Sequence, residues 1–269
     1  MLKSKKPPLI SILVNCYNGE EFLHYAIKSI VEQTYKNWEI IFFDNNSSDN
    51  SLKIIKKFQN KKIKIFRNKT KNIFSLYKAR NLALEKAKGD FIAFLDADDT
   101  WNKNKLSSQV NTLKKNPTVS IFYSNFHILF QKSQKRVLRF KKKLPSGFII
   151  KNLLKDYCIG INTLLIKKKI FKNYKFNAKY NIIGDFDLLI KLSLKFKIIA
   201  NQKSLANYRI HESNFSKNTK MYIEELVKWK KKNKEKFLIK KLSLSSINIY
   251  IFKLWVKLII FKIFKYKFD

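Results

Sequence analysis

Three carboxylates, Asp96, Asp98 and Asp99, fall within four positions at the end of the apolar run FIAFLD. Grouping like charges this closely costs free energy unless a cation offsets it. Oxygen ligands suit Mg2+ or Mn2+, and Mg2+ typically binds through one or two carboxylates plus substrate phosphates. The same residues also suit a helix start at Thr100–Trp101, with Asp98 or Asp99 as the cap. The cluster carries weight because acids are scarce, 19 Asp and Glu against 57 Lys and Arg. Other polar groups follow apolar runs in the same way: Asn15 to Asn18, and Asp44 to Asp49. A later acidic island, GDFDLLIKLSLKF, contributes Asp185 and Asp187. With only 5 glycines, the chain has no GxGxxG and no GxxxxGK[ST]. A nucleotide site must therefore be built from side chains and from carboxylates that hold a metal.

The elements that position these groups follow from the hydrophobic pattern. LISILVN (9–15), WEIIFFD, KIKIF and FIAFLD read as buried strands. Helices are expected from Glu20 to about Thr34, from Ser51 to about Gln59, and from Ser75 to Lys88 with Gly89 as C-cap. In the first, Phe22, Leu23, Ala26, Ile27, Ile30 and Val31 share one face. Alternating strands and helices predict an α/β fold with a doubly wound, mostly parallel sheet and helices on both faces. Ligands bind such sheets at the carboxyl ends of the strands, where the polar groups above lie. VSIFYSNFHILF and RVLRF read as strands around QKSQK, and GDFDLLIKLSLKF reads as a helix start. Beyond Met221 the chain is helical and very basic, so the expected division is a domain over 1–220 and a basic helical tail over 221–269.

Four motifs in order now carry a resemblance. ILVNCYNGEEFLHYAIKSIVEQTYKNWEIIFFDNNSSDNS, ARNLALEKAKGDFIAFLDADD, GDFDLLIKLS and YRIHESNFS resemble glycosyltransferase family 2 from about residue 9 to residue 216. The resemblance implies a GT-A fold, a nucleotide-sugar donor of the UDP type, Mn2+ or Mg2+, and inversion at the anomeric carbon. It also implies a glycan or lipid-linked acceptor and a place in surface polysaccharide or lipopolysaccharide assembly. Asn15 and Tyr17 fall in the donor loop, where an aromatic ring can stack on a base. Asp44 matches the aspartate ending the second strand. A carboxylate only accepts hydrogen bonds, so it suits a base with an N–H on its pairing edge. Asn45 and Asn46 follow it where the family usually has Asp or Asn and then Gly, and Asp49 suits a cap of the next helix. Arg80, in the RN pair with Asn81, brings charge near a diphosphate. In LDADD, Asp96 would face the ribose or the outer shell of the metal, Asp98 would ligate it, and Asp99 would support it. His211 matches a histidine near the metal and phosphates. Asp185 matches the Asp of an ED motif and is the candidate catalytic base, but Gly184 stands where Glu is common.

The formal net charge is +38. Basic residues attract phosphate backbones, yet the lysines are scattered and no zinc-finger or RNP-type motif exists, so no specific nucleic acid is expected. Lysines alternate with large apolar residues from Lys228 onward, and Lys253, Lys257 and Lys262 share no single face. This suits either an anionic membrane surface or a helix packed on the domain. Cys16 and Cys158 offer no disulfide framework. No secretory signal and no ordinary membrane span are read, so the expected location is cytoplasmic, with peripheral attachment at the inner membrane face. Two other readings use the same features: a nucleotidyltransferase built on the carboxylate cluster, and a basic membrane- or nucleic-acid-binding module.

Overall fold

The computed structural model describes residues 6–58, 60–214 and 217–266, with side chains through residue 260. The first five residues, the expected helix end at Gln59, Phe215 and Ser216 of the fourth motif, and the Lys262 side chain lie outside the described residues.

The first half alternates strand and helix: β1 (Ile10–Cys16), α1 (Glu20–Val31), β2 (Trp38–Asp44), α2 (Ser51–Lys56), β3 (Ile63–Arg67), α3 (Leu76–Lys86) and β4 (Phe91–Phe94). Then come β5 (Thr100–Trp101), α4 (Lys105–Lys115), β6 (Ile121–Phe130), β7 (Arg136–Leu138), α5 (Ile150–Lys155) and β8 (Leu165–Lys167). The chain closes with α6 (Gly184–Ser193), β9 (Ile198–Ile210), α7 (Thr219–Ile239) and α8 (Ser245–Tyr266). One sheet runs β3-β2-β1-β4-β8-β6-β9-β5, with β7 beside β6. β3, β2, β1 and β4 are parallel, as expected. Beyond β4 the sheet is mixed: β8 is antiparallel to both neighbours, while β6 and β9 run parallel.

The apolar runs read as strands because both faces of the sheet are covered. Ile10, Ile12 and Val14 pack with Leu23, Ala26 and Ile27 of α1 on one face. Leu13 points the other way, toward Tyr77 and Ala83 of α3 and Leu189 of α6. That second core also takes in Trp229 and Phe237 of α7 and Ile247 and Ile251 of α8, so the basic tail packs on the domain. The Glu225 carboxylate accepts from the backbone N–H groups of Asn181, Ile182 and Ile183, binding α7 to the entry of α6. The opposite side of α8 exposes Ile249, Phe252, Val256, Ile259 and Ile260, a second apolar stripe at helical spacing. No described helix is long and apolar enough to cross a membrane.

Two local expectations are corrected. Gly89 does not cap α3, whose C-cap is Ala87 in an extended conformation. A glycine is needed at 89 because a Cβ there would lie 2.6 Å from the Ser11 backbone nitrogen. Nor do Asp98 and Asp99 cap a helix: Thr100–Trp101 is a strand, and α4 begins later, after Asn104.

Candidate active site

A cleft of about 930 Å³ opens at the carboxyl ends of β1 and β4. Of the expected site residues, Asn15, Tyr17, Arg80, Asp96, Asp98, Asp185 and His211 line it together. Asp44 does not: its side chain is fully buried beside the cleft, paired with Arg67 Nε at 3.2 Å. It also accepts from the Ser47 backbone N–H at 3.2 Å.

The β1–α1 turn supplies the first group. Asn15 is buried at the strand end, and its Nδ2 has no hydrogen-bond partner among the described residues. Tyr17 is 48% exposed, leaving its ring face accessible. Asp49 holds the turn from below, accepting from the N–H groups of Glu20 at 2.8 Å and Ser51 at 3.0 Å, the first residues of α1 and α2.

The turn after β4 carries the acidic cluster, and its members are unlike. Asp96 forms an ion pair with Arg80, whose guanidinium is buried beside the Tyr77 ring at 5.3 Å. Asp98 Oδ2 accepts from Asn214 Nδ2 at 3.2 Å and lies 3.0 Å from His211 Nε2. Burial, then the nearby Asp96 charge, push the Asp98 carboxyl above the usual carboxylate range. Asp99 is buried away from solvent and accepts from Arg209 N at 2.9 Å and Asn162 Nδ2 at 2.6 Å. Arg209 Nε also donates to the Asp98 carbonyl at 2.9 Å, so β9 clamps this turn from both sides. Asp99 therefore fastens this turn to Asn162 and to β9.

Asp185 sits in the first turn of α6. Its Oδ1 accepts from its neighbour's backbone, Phe186 N, at 2.8 Å, and lies 3.1 Å from the Tyr77 hydroxyl. That hydroxyl also approaches the Ile182 carbonyl at 2.7 Å. Burial raises the Asp185 carboxyl, partly countered by Arg80 and by these hydrogen bonds. Asp187 turns inward instead, accepting from Trp229 Nε1 at 3.0 Å and pairing with Lys191 at 2.5 Å.

Sequence reasoning missed Tyr77, Arg67, Arg209 and Asn214 as neighbours of these carboxylates. Arg209 and Asn214 lie inside the fourth motif and could have been flagged. Nothing local marks Tyr77, which reaches Asp185 across 108 positions of chain.

The donor set of Asp98 and His211 fits a divalent ion, because a carboxylate oxygen and an imidazole nitrogen stand 3.0 Å apart in residues that line the cleft. Among the described residues no group of three or more His, Cys, Asp or Glu forms a closed metal site. An ion here would thus depend on further oxygens from a bound diphosphate.

Residues 11–175 match the family model described as Glycosyl transferase family 2. Over 212 residues the chain is 32% identical to the UDP-Glc:alpha-D-GlcNAc-diphosphoundecaprenol beta-1,3-glucosyltransferase WfgD of Escherichia coli, covering 78% of this chain and 80% of the relative. The fold resembles S. aureus TarS 1-349, with TM-score 0.65 and 20% identity over 81% of this chain and 63% of that one. It also resembles the mannosyltransferase PcManGT from Pyrobaculum calidifontis in complex with GDP-Man and Mn2+, with TM-score 0.61 and 15% identity over 83% of this chain and 63% of that one. The chain thus spans less than two thirds of either solved chain.

Proposed function

This chain belongs to glycosyl transferase family 2 and is a glycosyltransferase, and we propose that it moves a sugar from a UDP-sugar to a hydroxyl of a lipid-linked glycan with inversion. The observation that carries this is the shared cleft, in which Asp98 and His211 face the same space as Asp185. Family membership sets aside the nucleotidyltransferase and binding-module readings.

In this proposal the Tyr17 ring stacks on the base and Asn15 Nδ2 donates to the nucleotide. Asp44 accepts from the N–H of the uracil edge. That contact requires the half-exposed Arg67 side chain to move off the carboxylate, since Asp44 is fully buried. Asp98 and His211 would hold Mn2+ or Mg2+, which when bound offsets charge on the departing diphosphate. Asp96 is fixed by Arg80 and faces the ribose. Asp185 takes the acceptor proton. The acceptor oxygen then bonds to the anomeric carbon as the bond from that carbon to the diphosphate oxygen breaks. The nucleoside diphosphate departs with the electron pair. The WfgD name supports a lipid-linked acceptor in polysaccharide assembly. The outward stripe of α8, edged by Lys253 and Lys257, supports peripheral contact with an anionic membrane.

The test is a donor screen with UDP-, GDP- and dTDP-sugars, scoring nucleotide release with Mn2+, with Mg2+ and after chelation. Metal-dependent release from a UDP-sugar is expected. Equal release after chelation would overturn the metal assignment. Release from none of the donors would overturn the donor assignment.

A further inference from the structure

Beside the cleft lies a second cavity of about 360 Å³, within the size range of small-ligand sites. The two voids share Phe126, Arg139 and Tyr208, so they are adjacent. The second runs from Phe186, the residue after Asp185, to Ile247 and Tyr250 of α8. It therefore connects the neighbourhood of the candidate base to the inner side of the helix whose outer side is the exposed apolar stripe.

Three features mark it as more than a packing gap. Its walls are largely apolar, with Leu153, Leu226 and Ile247 among them. Tyr157 is one of the wall residues, and its hydroxyl is buried with no hydrogen-bond partner among the described residues. A buried hydroxyl in that condition is costly unless a ligand supplies the partner. Tyr157 also lies close enough to Asp185 for the carboxylate charge to raise its phenol, an effect second to burial. Finally, Arg139 stands where the two voids meet. Its guanidinium rests on the Phe140 ring at 4.5 Å, and no carboxylate pairs with it among the described residues.

We propose that this cavity is the acceptor subsite, built for an amphiphile that carries a sugar, a phosphate or diphosphate, and an apolar stem. The reading rests on the transferase function proposed above. The Tyr157 hydroxyl bonds the sugar held before Asp185, Arg139 faces the phosphate, and the apolar walls take the first stretch of the stem toward α8.

The test uses two probes: N-acetylglucosamine diphosphate esterified to a medium-length alkyl chain, and the matching uncharged alkyl glycoside. Affinities are measured for the full-length wild type, Arg139→Ala and Tyr157→Phe, with UDP affinity and Tm alongside. Arg139→Ala should weaken the diphosphate probe ~10-fold or more and leave the uncharged glycoside unchanged. Tyr157→Phe should weaken both probes ~2–10-fold without lowering Tm, because its hydroxyl has no protein partner to lose. Tyr157→Phe, at a residue outside the donor cleft, should keep UDP affinity. Unchanged probe affinity in both variants overturns the proposal, as does a wild type that binds UDP but neither probe. A wild type that binds no nucleotide overturns the function on which the proposal rests, and UDP binding keeps the two failures apart.

Discussion

The Tyr77 ring occupies the space that a side chain at position 184 would need. A Cβ built on Gly184 would lie 2.4 Å from Cδ2 and 2.5 Å from Cε2 of that ring. The ring is fully buried, stacked on Phe176 at 5.5 Å, and its hydroxyl is tied to the turn that leads into α6. So Gly184, where the resemblance leads one to expect Glu, is matched by a tyrosine that fills the same volume and reaches the neighbouring Asp185.

Gly184→Ala should therefore lower Tm, reversing the usual sign. Replacing a helical glycine by alanine ordinarily stabilises by about 0.5–1 kcal/mol. Overpacking against an immobile ring costs about 1–3 kcal/mol. In a double-mutant cycle with Tyr77→Ala, the loss from Gly184→Ala should largely vanish. An additive cycle would show that the two positions are not coupled.

Tyr77→Phe keeps the ring and removes only the hydroxyl, so it separates packing from chemistry. Asp185 must be ionised to accept a proton, so the transfer rate should fall as pH drops through its pKa. Burial raises that pKa, whereas the Tyr77 hydroxyl lowers it. Removing the hydroxyl should shift the acid limb of the rate profile to higher pH, and should also cost about 1–3 kcal/mol of stability because the Ile182 carbonyl loses its donor. Arg80, Asp96 and Tyr157 also face this carboxylate and stay in place in the variant. An acid limb at the same pH in both proteins would rule out a hydrogen bond from Tyr77 to the ionised base.

Much of this arrangement was legible in the sequence, for identifiable reasons. β1, β2 and β4 are buried on both faces, so their apolar runs are unbroken, and the polar groups that end them mark the ligand edge. The aspartate turn was visible because acids are rare in this chain. The mixed half of the sheet was less so. β5 and β8 are only two and three residues long, and their pairings are set by distant partners. The capping reading of Asp98 and Asp99 failed because Arg209 and Asn162, far along the chain, hold Asp99 in a strand-to-strand turn. The tail showed no two-faced wheel because α8 is apolar on both sides, one against the core and one outward.

Asp98→Asn should abolish metal-enhanced nucleotide binding while leaving Tm close to the wild type. The substitution retains size and removes the charge that a divalent ion requires. Titration of UDP with and without Mn2+ measures this directly. A wild type whose affinity is the same with and without the ion would sink the assignment.

The outward stripe of α8 gives a further test. Phe252 and Val256 are exposed, so replacing both by Asp should spare the fold. Burying one such side chain contributes about 1.5–3 kcal/mol. Binding to anionic vesicles should therefore drop strongly, in a sedimentation assay, with UDP affinity retained. Undiminished vesicle binding would mean that scattered lysines, and not this stripe, make the contact.

Asp185 and Asp187 offer the sharpest comparison, because they lie two residues apart in one helix and face opposite ways. Asp185 faces the cleft, so Asp185→Asn should preserve donor binding and slow transfer by about 10²–10⁴-fold, the usual contribution of a general base. Asp187 is buried against Trp229 Nε1 and Lys191, where an amide cannot accept both bonds equally well. Asp187→Asn should cost about 1–3 kcal/mol of stability and leave turnover of the folded fraction near normal. Measuring kcat and Tm for both variants separates the roles. A dead Asp187→Asn beside an active Asp185→Asn would move the base to Asp187, and two active variants would remove both carboxylates from the transfer step.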